Sequence, residues 1–554
     1  MNITQNMEVA EIFKTDVLVI GGAAAGVSAA IEAAKYGVDV DLIDKGRVGF
    51  SGSTPTSDGE TAAIFHPDDS EENFFTETIE GGEFLNVQEL ARVLVADGNL
   101  AVDKLSIFGV PFARTSDGKI KVYKELGQKC PRTPSVYGSG PAFSLALRKE
   151  ALHRGVNFHE NTMALELFVE GDSVNGCLAV QVIDGKMIVF HAKSVILAAG
   201  SATDLYPFAT ASYKTTGDGY WLGWKAGLEF INMEFVEFSV MPAPGGVPLS
   251  AGGIKPLTGR GAKFFNATGE RFMEKYDPQR KELVKRSDLV YGLYKEIKEG
   301  RGPVFMDATE ISAEEYDALE QIHHLGILQR LQGCGVDYRQ EKFEWISPAV
   351  HTFLGGVRIN ADSQTQIDNL FAAGENAGGL YGADRVGTYL TACVVFGFRA
   401  GMNAAKTALG TDRKEPSPEH LKAKLQEVNK IRIKRKGRPA NTVKKEIKEI
   451  AGQYMTCERE ANGLLAALKW FEHLVAEEIF KIKVETVEDF IRTLEIRNLG
   501  LTGMLIAEAA LRREETRGQH RRLDYPQSDN SFRKWILLKN DQDKIEVHEE
   551  KIPD

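Results

Sequence analysis

The sequence predicts an α/β protein whose chain opens on a strand–turn–helix–strand unit and closes on a helical region. Three observations carry this. First, residues 16–20 (DVLVI) form a short apolar, β-rich run; GGAAAG follows, VSAAIEAAKYG reads as a helix with a glycine stop, and VDVDLIDK reads as a second strand. Second, VILAAG at 195–200 and LFAAGENAG at 370–378 again run from a buried strand into glycine, and TTGDGYWLGWKAG at 215–227 reads as a turn entering a helix. Third, the chain from about Glu415–Pro418 to about Arg513 is charge-rich and helical in pattern.

A chain of 554 residues exceeds the size at which one core keeps growing, so two or three domains are expected. The strand–glycine segments lie on both sides of a stretch rich in glycine and proline first and in charged helical segments after. The nucleotide-type domain is therefore expected to be discontinuous, covering 10–236 and 351–412 around an insertion at 237–350. A helical domain at 413–517 and a tail at 518–554, with KWILL as a strand, complete the division. No repeat suggests a solenoid.

The net charge of −11 gives no support for nucleic-acid binding. The first residues, MNITQNMEVAEIFKTD, lack the apolar core of a signal peptide, and no stretch reaches the roughly 20 apolar residues of a membrane span. A cytoplasmic protein is expected, with any membrane association through a partner subunit. Five scattered cysteines form no CxxC pair, which argues against an iron–sulfur cluster or c-type haem in this chain. His323 and His324 sit in a charged helical segment and read as solvated, not as ligands.

A dinucleotide site needs glycines where the backbone approaches a pyrophosphate, with a helix N-terminus offering N–H groups to it. Gly21, Gly22 and Gly26 supply that turn, and Ala23 replaces the usual middle glycine. An acid about 20 residues further on should bind ribose hydroxyls, and Asp44 fits.

Further segments add up to a resemblance. VLVIGGAAAGVSAAIEAA, LIDKG, VILAAG, TTGDGYWLGWKAG, MEFVEF, NATGERFMEKY, the Arg286 segment, HTFLGGV, NLFAAGENAGGLYGADRVG, VVFGFRAG and REETRGQHRRLDYP occur in order across about residues 15–535. Together they resemble the fumarate reductase / succinate dehydrogenase flavoprotein family, which also includes L-aspartate oxidase and the adenylylsulfate reductase flavoprotein. The resemblance implies a Rossmann-like FAD-binding domain, an inserted α+β capping domain and a C-terminal helical domain.

It also implies roles. Asp44 and Lys45 resemble the adenosine-side pair; Ser51, Gly52 and Ser53 the loop around pyrophosphate and flavin; Asp218 the TGDG aspartate; Glu375 the acid that binds ribityl or ribose hydroxyls. Gly200 and the VGTYL residues Tyr389 and Leu390 belong to the implied cofactor site, although the loop after Arg385 is about one residue shorter than the usual form. Covalent members carry a histidine in the loop after the second strand; FSGSTPTSDGETAA has none, so the FAD is expected to be non-covalent.

The implied reaction moves a hydride between flavin N5 and a carbon next to a carboxylate, while an acid–base group handles the proton. Arg286 matches the proton-donating arginine, Arg260 an arginine of its relay, and His351 and Arg385 the pair that grips one carboxylate. Arg286 in its charged stretch also suits a structural ion pair, and His351 before FLGG also suits a turn cap. Three family residues are missing. The HPTG histidine that follows MEFVQF is replaced by Ser239, with Val240 and Met241 next, and a Thr–Glu pair is replaced by Pro256 and Leu257. Burying a second carboxylate without those partners would cost several kcal/mol. The substrate is therefore expected to be an unsaturated carboxylate, or a related anion, with one anionic group and a less polar far end.

Electrons must come from or go to a partner, and an iron–sulfur or other electron-transfer protein is expected. The basic run KIRIKRKGR at 430–438 suits either a docking face for it or a solvated surface. Three other functions stay open: an adenylylsulfate-reductase-like flavoprotein with an iron–sulfur partner, an L-aspartate-oxidase-like amino-acid oxidase, and a flavin-binding scaffold without catalysis.

Overall fold

The computed structural model describes residues 9–125, 128–249, 257–323 and 327–553. Pro256, His324 and the side chain of His323 lie outside the described residues.

The opening unit forms strand β1 (Val9–Ile20), helix α1 (Ala24–Ala34) and strand β2 (Val40–Asp44), with β1 and β2 parallel from Val17↔Val40 to Ile20↔Ile43. β1 begins well before the apolar run, because residues 9–15, though mostly exposed, pair with the strand Met187–Leu197. The seven-stranded sheet runs Asn157–Glu160, β2, β1, Met187–Leu197, then the antiparallel strands Ser173–Gln181 and Thr162–Glu170. Leu370–Ala372 pairs in parallel with the last residues of Met187–Leu197, so it sits beyond the point where the antiparallel pair leaves that strand. β1, β2, Met187–Leu197 and Leu370–Ala372 therefore end on one side, where open parallel sheets bind ligands.

A second sheet is antiparallel, in the order Val236–Pro242, Phe343–Phe353, Val304–Asp307, Lys263–Phe265. Every residue of Val236–Pro242 is buried, including Glu237. Its register with Phe343–Phe353 opposes Glu237 to Thr352 and slips immediately after Glu237. Such a slip re-aims side chains.

Helices Pro418–Arg432, Ala440–Tyr454, Ala461–Ala476 and Val487–Arg512 follow, and the last of these is buried over most of its length. The tail holds one more strand than expected: Lys534–Asp541 turns through Gln542 and Asp543 into Lys544–Lys551. The arginines of the basic run at 430–438 are engaged within the chain, while most of the run is exposed. Arg432 is buried, Arg435 donates to the Ile479 and Ile482 carbonyls at 2.8 and 2.7 Å, and Arg438 pairs with Glu446 and Glu478. That leaves Lys430, Lys434 and Lys436 as its exposed cations.

Candidate active site

One cavity starts at the strand ends of the large sheet and reaches the second sheet. Its first part is walled by Gly21, Gly22 and Ala23, by Asp44 and Lys45, by Ser51, Gly52 and Ser53, and by Gly200, Asp218 and Glu375. Two glycines hold it open. Gly21 has φ +117°, and a Cβ there would collide with the Ala198 carbonyl. A Cβ at Gly26 would strike the Gly21 carbonyl, so Gly26, which is not among the lining residues, closes α1 onto the turn and does not face the cavity.

The carboxylate of Asp44 accepts the N–H groups of Gly22 and Gly46, both at 2.7 Å. Burial pushes its carboxyl up, and those two amides pull it back. Lys45 Nζ lies 2.9 Å from Asp218 and 2.9 Å from Glu495, and donates to Thr216 at 2.6 Å. Burial works against its charge, but Asp218 and Glu495 outweigh burial and hold it as the ammonium. The arrangement fits a dinucleotide. Small residues line the turn, anchored carboxylates flank it, and the buried Ser53 Oγ on the cavity wall has no hydrogen-bond partner among the described residues.

Glu375 accepts a hydrogen bond from Ser201 Oγ at 2.8 Å, and burial pushes its carboxyl from about 4.5 up to about 7 against the pull of Ser201 and Arg385. The folded protein thus keeps this proton where the unfolded chain has lost it. Raising the pH from about 4.5 to about 7 should therefore favour unfolding of the flavin-free protein. Glu375→Gln, which cannot ionise, should flatten that slope. Urea midpoints across the window check this, and an unchanged slope would refute it.

The cavity continues to Ser239, Arg286, His351, Thr352, Arg385, Tyr389 and Leu390. Arg286 opens the helix Arg286–Lys298, and Tyr389 opens the helix Tyr389–Gly410. The two arginines meet on Glu237. Arg385 Nη2 and Nε lie 2.6 and 3.2 Å from Glu237 Oε2, and Arg286 Nη1 lies 3.1 Å from Oε1. Thr352 Oγ1 donates to Oε2 at 2.6 Å, and Arg385 Nη1 also donates to the Gly387 carbonyl. Only 1% of the Glu237 side chain and 2% of the Arg385 side chain are exposed. Burial opposes the charge of Glu237, but Arg385 and then Arg286 hold its carboxyl well below the usual range. His351 Nδ1 lies 2.7 Å from Thr210 Oγ1.

The sequence-predicted residues therefore share one cavity, apart from Gly26 and Arg260. Arg260 sits at the turn after Leu257, half-buried and not among the lining residues. Of the residues at the altered end, Ser239 lines the cavity, whereas Val240, Met241 and Leu257 are buried away from the described wall. Sequence reasoning missed Glu237, Thr352, Thr54, Lys214 and Glu495. Thr54 accepts the Ala24 N–H at 3.1 Å, at the start of α1. Glu237 alone had a signal, as an acid inside the apolar run FVEF; such a group must be paired.

Comparison with known proteins agrees with this geometry. The family described as FAD binding domain matches residues 16–389, and the one described as Fumarate reductase flavoprotein C-term matches residues 444–553. The chain is 34% identical over 550 residues to one of the subunits of the fumarate reductase (CoM/CoB) of Methanothermobacter marburgensis, covering 95% of this chain and 97% of that one. It shares its fold with E. coli quinol fumarate reductase (TM-score 0.90, 24% identity, 98% and 97% of the chains covered). It also shares it with adenylylsulfate reductase of Archaeoglobus fulgidus (TM-score 0.80, 19% identity, 99% and 97% covered). No helix among the described residues is long and apolar enough to cross a membrane. From the dinucleotide-shaped end of the cavity to the C-terminal helices, the chain belongs to the fumarate reductase / succinate dehydrogenase family of FAD-dependent flavoprotein oxidoreductases.

Proposed function

We propose that this enzyme reduces, or forms, a C=C bond next to a carboxylate, on an acid with a single anionic group and not on fumarate. The observation that carries the reading is the continuity of the cavity: the residues suited to FAD adjoin Arg286, His351 and Arg385 without a break. The methanogen relative, named for fumarate reduction, supports the reaction type. Ser239, where the family histidine would stand, supports a different acid.

The chemistry FAD supplies when bound is hydride transfer at its N5 atom. The chain's part is to hold the acid and to handle the proton. His351 and those guanidinium N–H groups of Arg385 not given to Glu237 and the Gly387 carbonyl receive the carboxylate. Arg286 makes one hydrogen bond, to Glu237, among the described residues, and keeps its other donors for the substrate. A guanidinium is a poor acid. Only a strongly basic centre, such as the carbanion-like carbon beside a carboxylate, can take a proton from it. An electron-transfer protein, of iron–sulfur or other type, completes the electron path, because the five cysteines are all unpaired and no second nucleotide site is evident in the sequence.

The test is reoxidation of the photoreduced holoprotein by a panel of unsaturated acids. A monocarboxylic enoate should reoxidise it much faster than fumarate. Efficient fumarate reduction with a reduced viologen as donor would sink the substrate half of the reading.

The FAD should also be non-covalent. His351 is the one histidine among the described lining residues, and it belongs to the strand Phe343–Phe353 and not to the Ser51–Ser57 loop. Acid precipitation should leave yellow flavin in the supernatant; flavin remaining on the polypeptide would refute this.

A further inference from the structure

We propose that Glu237 is a built-in counter-anion that restricts the substrate to a single negative charge. The inference rests on the carboxylate reading above and goes beyond it by naming the residue that sets the charge count.

The geometry is that of a site already holding one carboxylate. Glu237 Oε2 takes both Nε and Nη2 of Arg385, at 3.2 and 2.6 Å, which is the edge a substrate carboxylate would use for two parallel hydrogen bonds. Nη1 of Arg385 is engaged with the Gly387 carbonyl. Oε1 of Glu237 takes Arg286 at 3.1 Å, and Thr352 adds a hydroxyl at 2.6 Å. An ionised carboxylate inside the wholly buried strand Val236–Pro242 is sustained only by such pairing.

The charge count follows. The two guanidiniums and the one carboxylate of the Arg286–Glu237–Arg385 cluster carry one net positive charge. A monoanion brings it to neutrality, whereas a dianion leaves a surplus negative charge in a buried place. Other carboxyls stand nearby: Asp58 and Glu60 line the cavity, and Glu60 accepts from Tyr123, whereas the described ion pairs of Arg286 and Arg385 both go to Glu237. Asp384 accepts from Ser287, Gln519 and its neighbour's backbone, and burial pushes it up; Glu375 is pushed up to about 7. With an effective dielectric constant of about 20, one surplus charge several ångströms away is worth at least about tenfold in affinity.

The experiment compares two acids of one shape: the fumarate dianion and its monoamide. Each is titrated into the flavin-loaded protein, with binding read from calorimetry and from the perturbed flavin absorbance. Wild type should bind the monoamide at least about tenfold more tightly. Glu237→Gln, equal in size and uncharged, should shift that ratio at least about tenfold toward the dianion. A merely structural role for Glu237 would weaken both acids alike and leave the ratio unchanged, which would overturn the proposal. If the variant does not fold or loses FAD, the wild-type ratio decides: monoamide preference supports the inference, and parity or dianion preference overturns it. Dianion preference with turnover would overturn the inference and the single-anion half of the substrate reading, and would leave reduction of a C=C bond beside a carboxylate standing. Failure of both acids to bind would overturn the carboxylate reading and the inference with it.

Discussion

Arg286→Lys should retain FAD and lose about 10²–10⁴ in turnover, the usual worth of a positioned general acid. The geometry explains why the conservative change is severe. Arg286 reaches Glu237 with Nη1 and is itself a lining residue of the cavity. A lysine ammonium is a single nitrogen. It can stay at the buried carboxylate or meet the substrate, and the charge of Glu237 favours the first. Cofactor content should be unaffected, because no described hydrogen bond ties Arg286 to Gly21, Asp44, Lys45 or Ser53. Rates of flavin reoxidation by the best acid of the panel, measured with flavin content alongside, give the answer. Arg385→Lys should differ, because one ammonium cannot replace a fork holding both Glu237 and the Gly387 carbonyl. It should weaken substrate binding, seen mainly in KM, and loosen Glu237 as well. Near-wild-type turnover by Arg286→Lys would make Arg286 structural, and the adenylylsulfate-reductase-like alternative would gain.

What was legible in the sequence follows the range over which each interaction acts. The turn at Gly21–Gly26 and the acid at Asp44 were readable, because a tight strand–helix turn demands glycine and the acid follows at a set spacing. The partners of Lys45 were only partly so. Asp218 belongs to a recognisable motif, but Glu495 comes from a helix far along the chain, and only folding brings it to 2.9 Å. The second tail strand was hidden by its composition, since Lys544–Lys551 is mostly charged and half-exposed along its length. Apolar replacement at Val240, Met241 and Leu257 was plain, but which of these faces the cavity was not. Alternation along Val236–Pro242 puts Ser239 on the same face as Glu237, and the residue left over at the slip is His351 on the facing strand; Ser239 and His351 both line the wall. Glu237 was hidden for a similar reason. A buried acid demands a cation, but its opposition to Thr352 and its reach to Arg286 and Arg385 exist only in three dimensions.

Arg513→Met should destabilise the protein by about 3–5 kcal/mol, the usual cost of breaking a buried ion pair from one side. Arg513 and Glu234 are both fully buried, with Nε 2.6 Å from Glu234 Oε1. The same guanidinium lies 3.0 Å from Glu515 and donates to the carbonyls of Phe532 and Lys534 at 2.8 and 2.9 Å. One side chain thus ties the end of the long helix to the start of the second sheet and to the first tail strand. Methionine fills much of the volume but supplies no donor, so Glu234 is left buried and uncompensated. Its carboxyl, already pushed up by burial against the pull of Arg513, should then take a proton. Glu515 keeps Arg517 at 2.8 Å, so the loss falls chiefly on Glu234 and on the two tail carbonyls. Urea unfolding followed by circular dichroism measures the change, and limited proteolysis should show the 534–551 hairpin released first. Adding Glu234→Gln removes the stranded charge and should recover a substantial part of the loss. If Arg513→Met unfolds within about 1 kcal/mol of wild type, the cluster contributes no more than an exposed ion pair does, and the tail is held by its strand pairing alone.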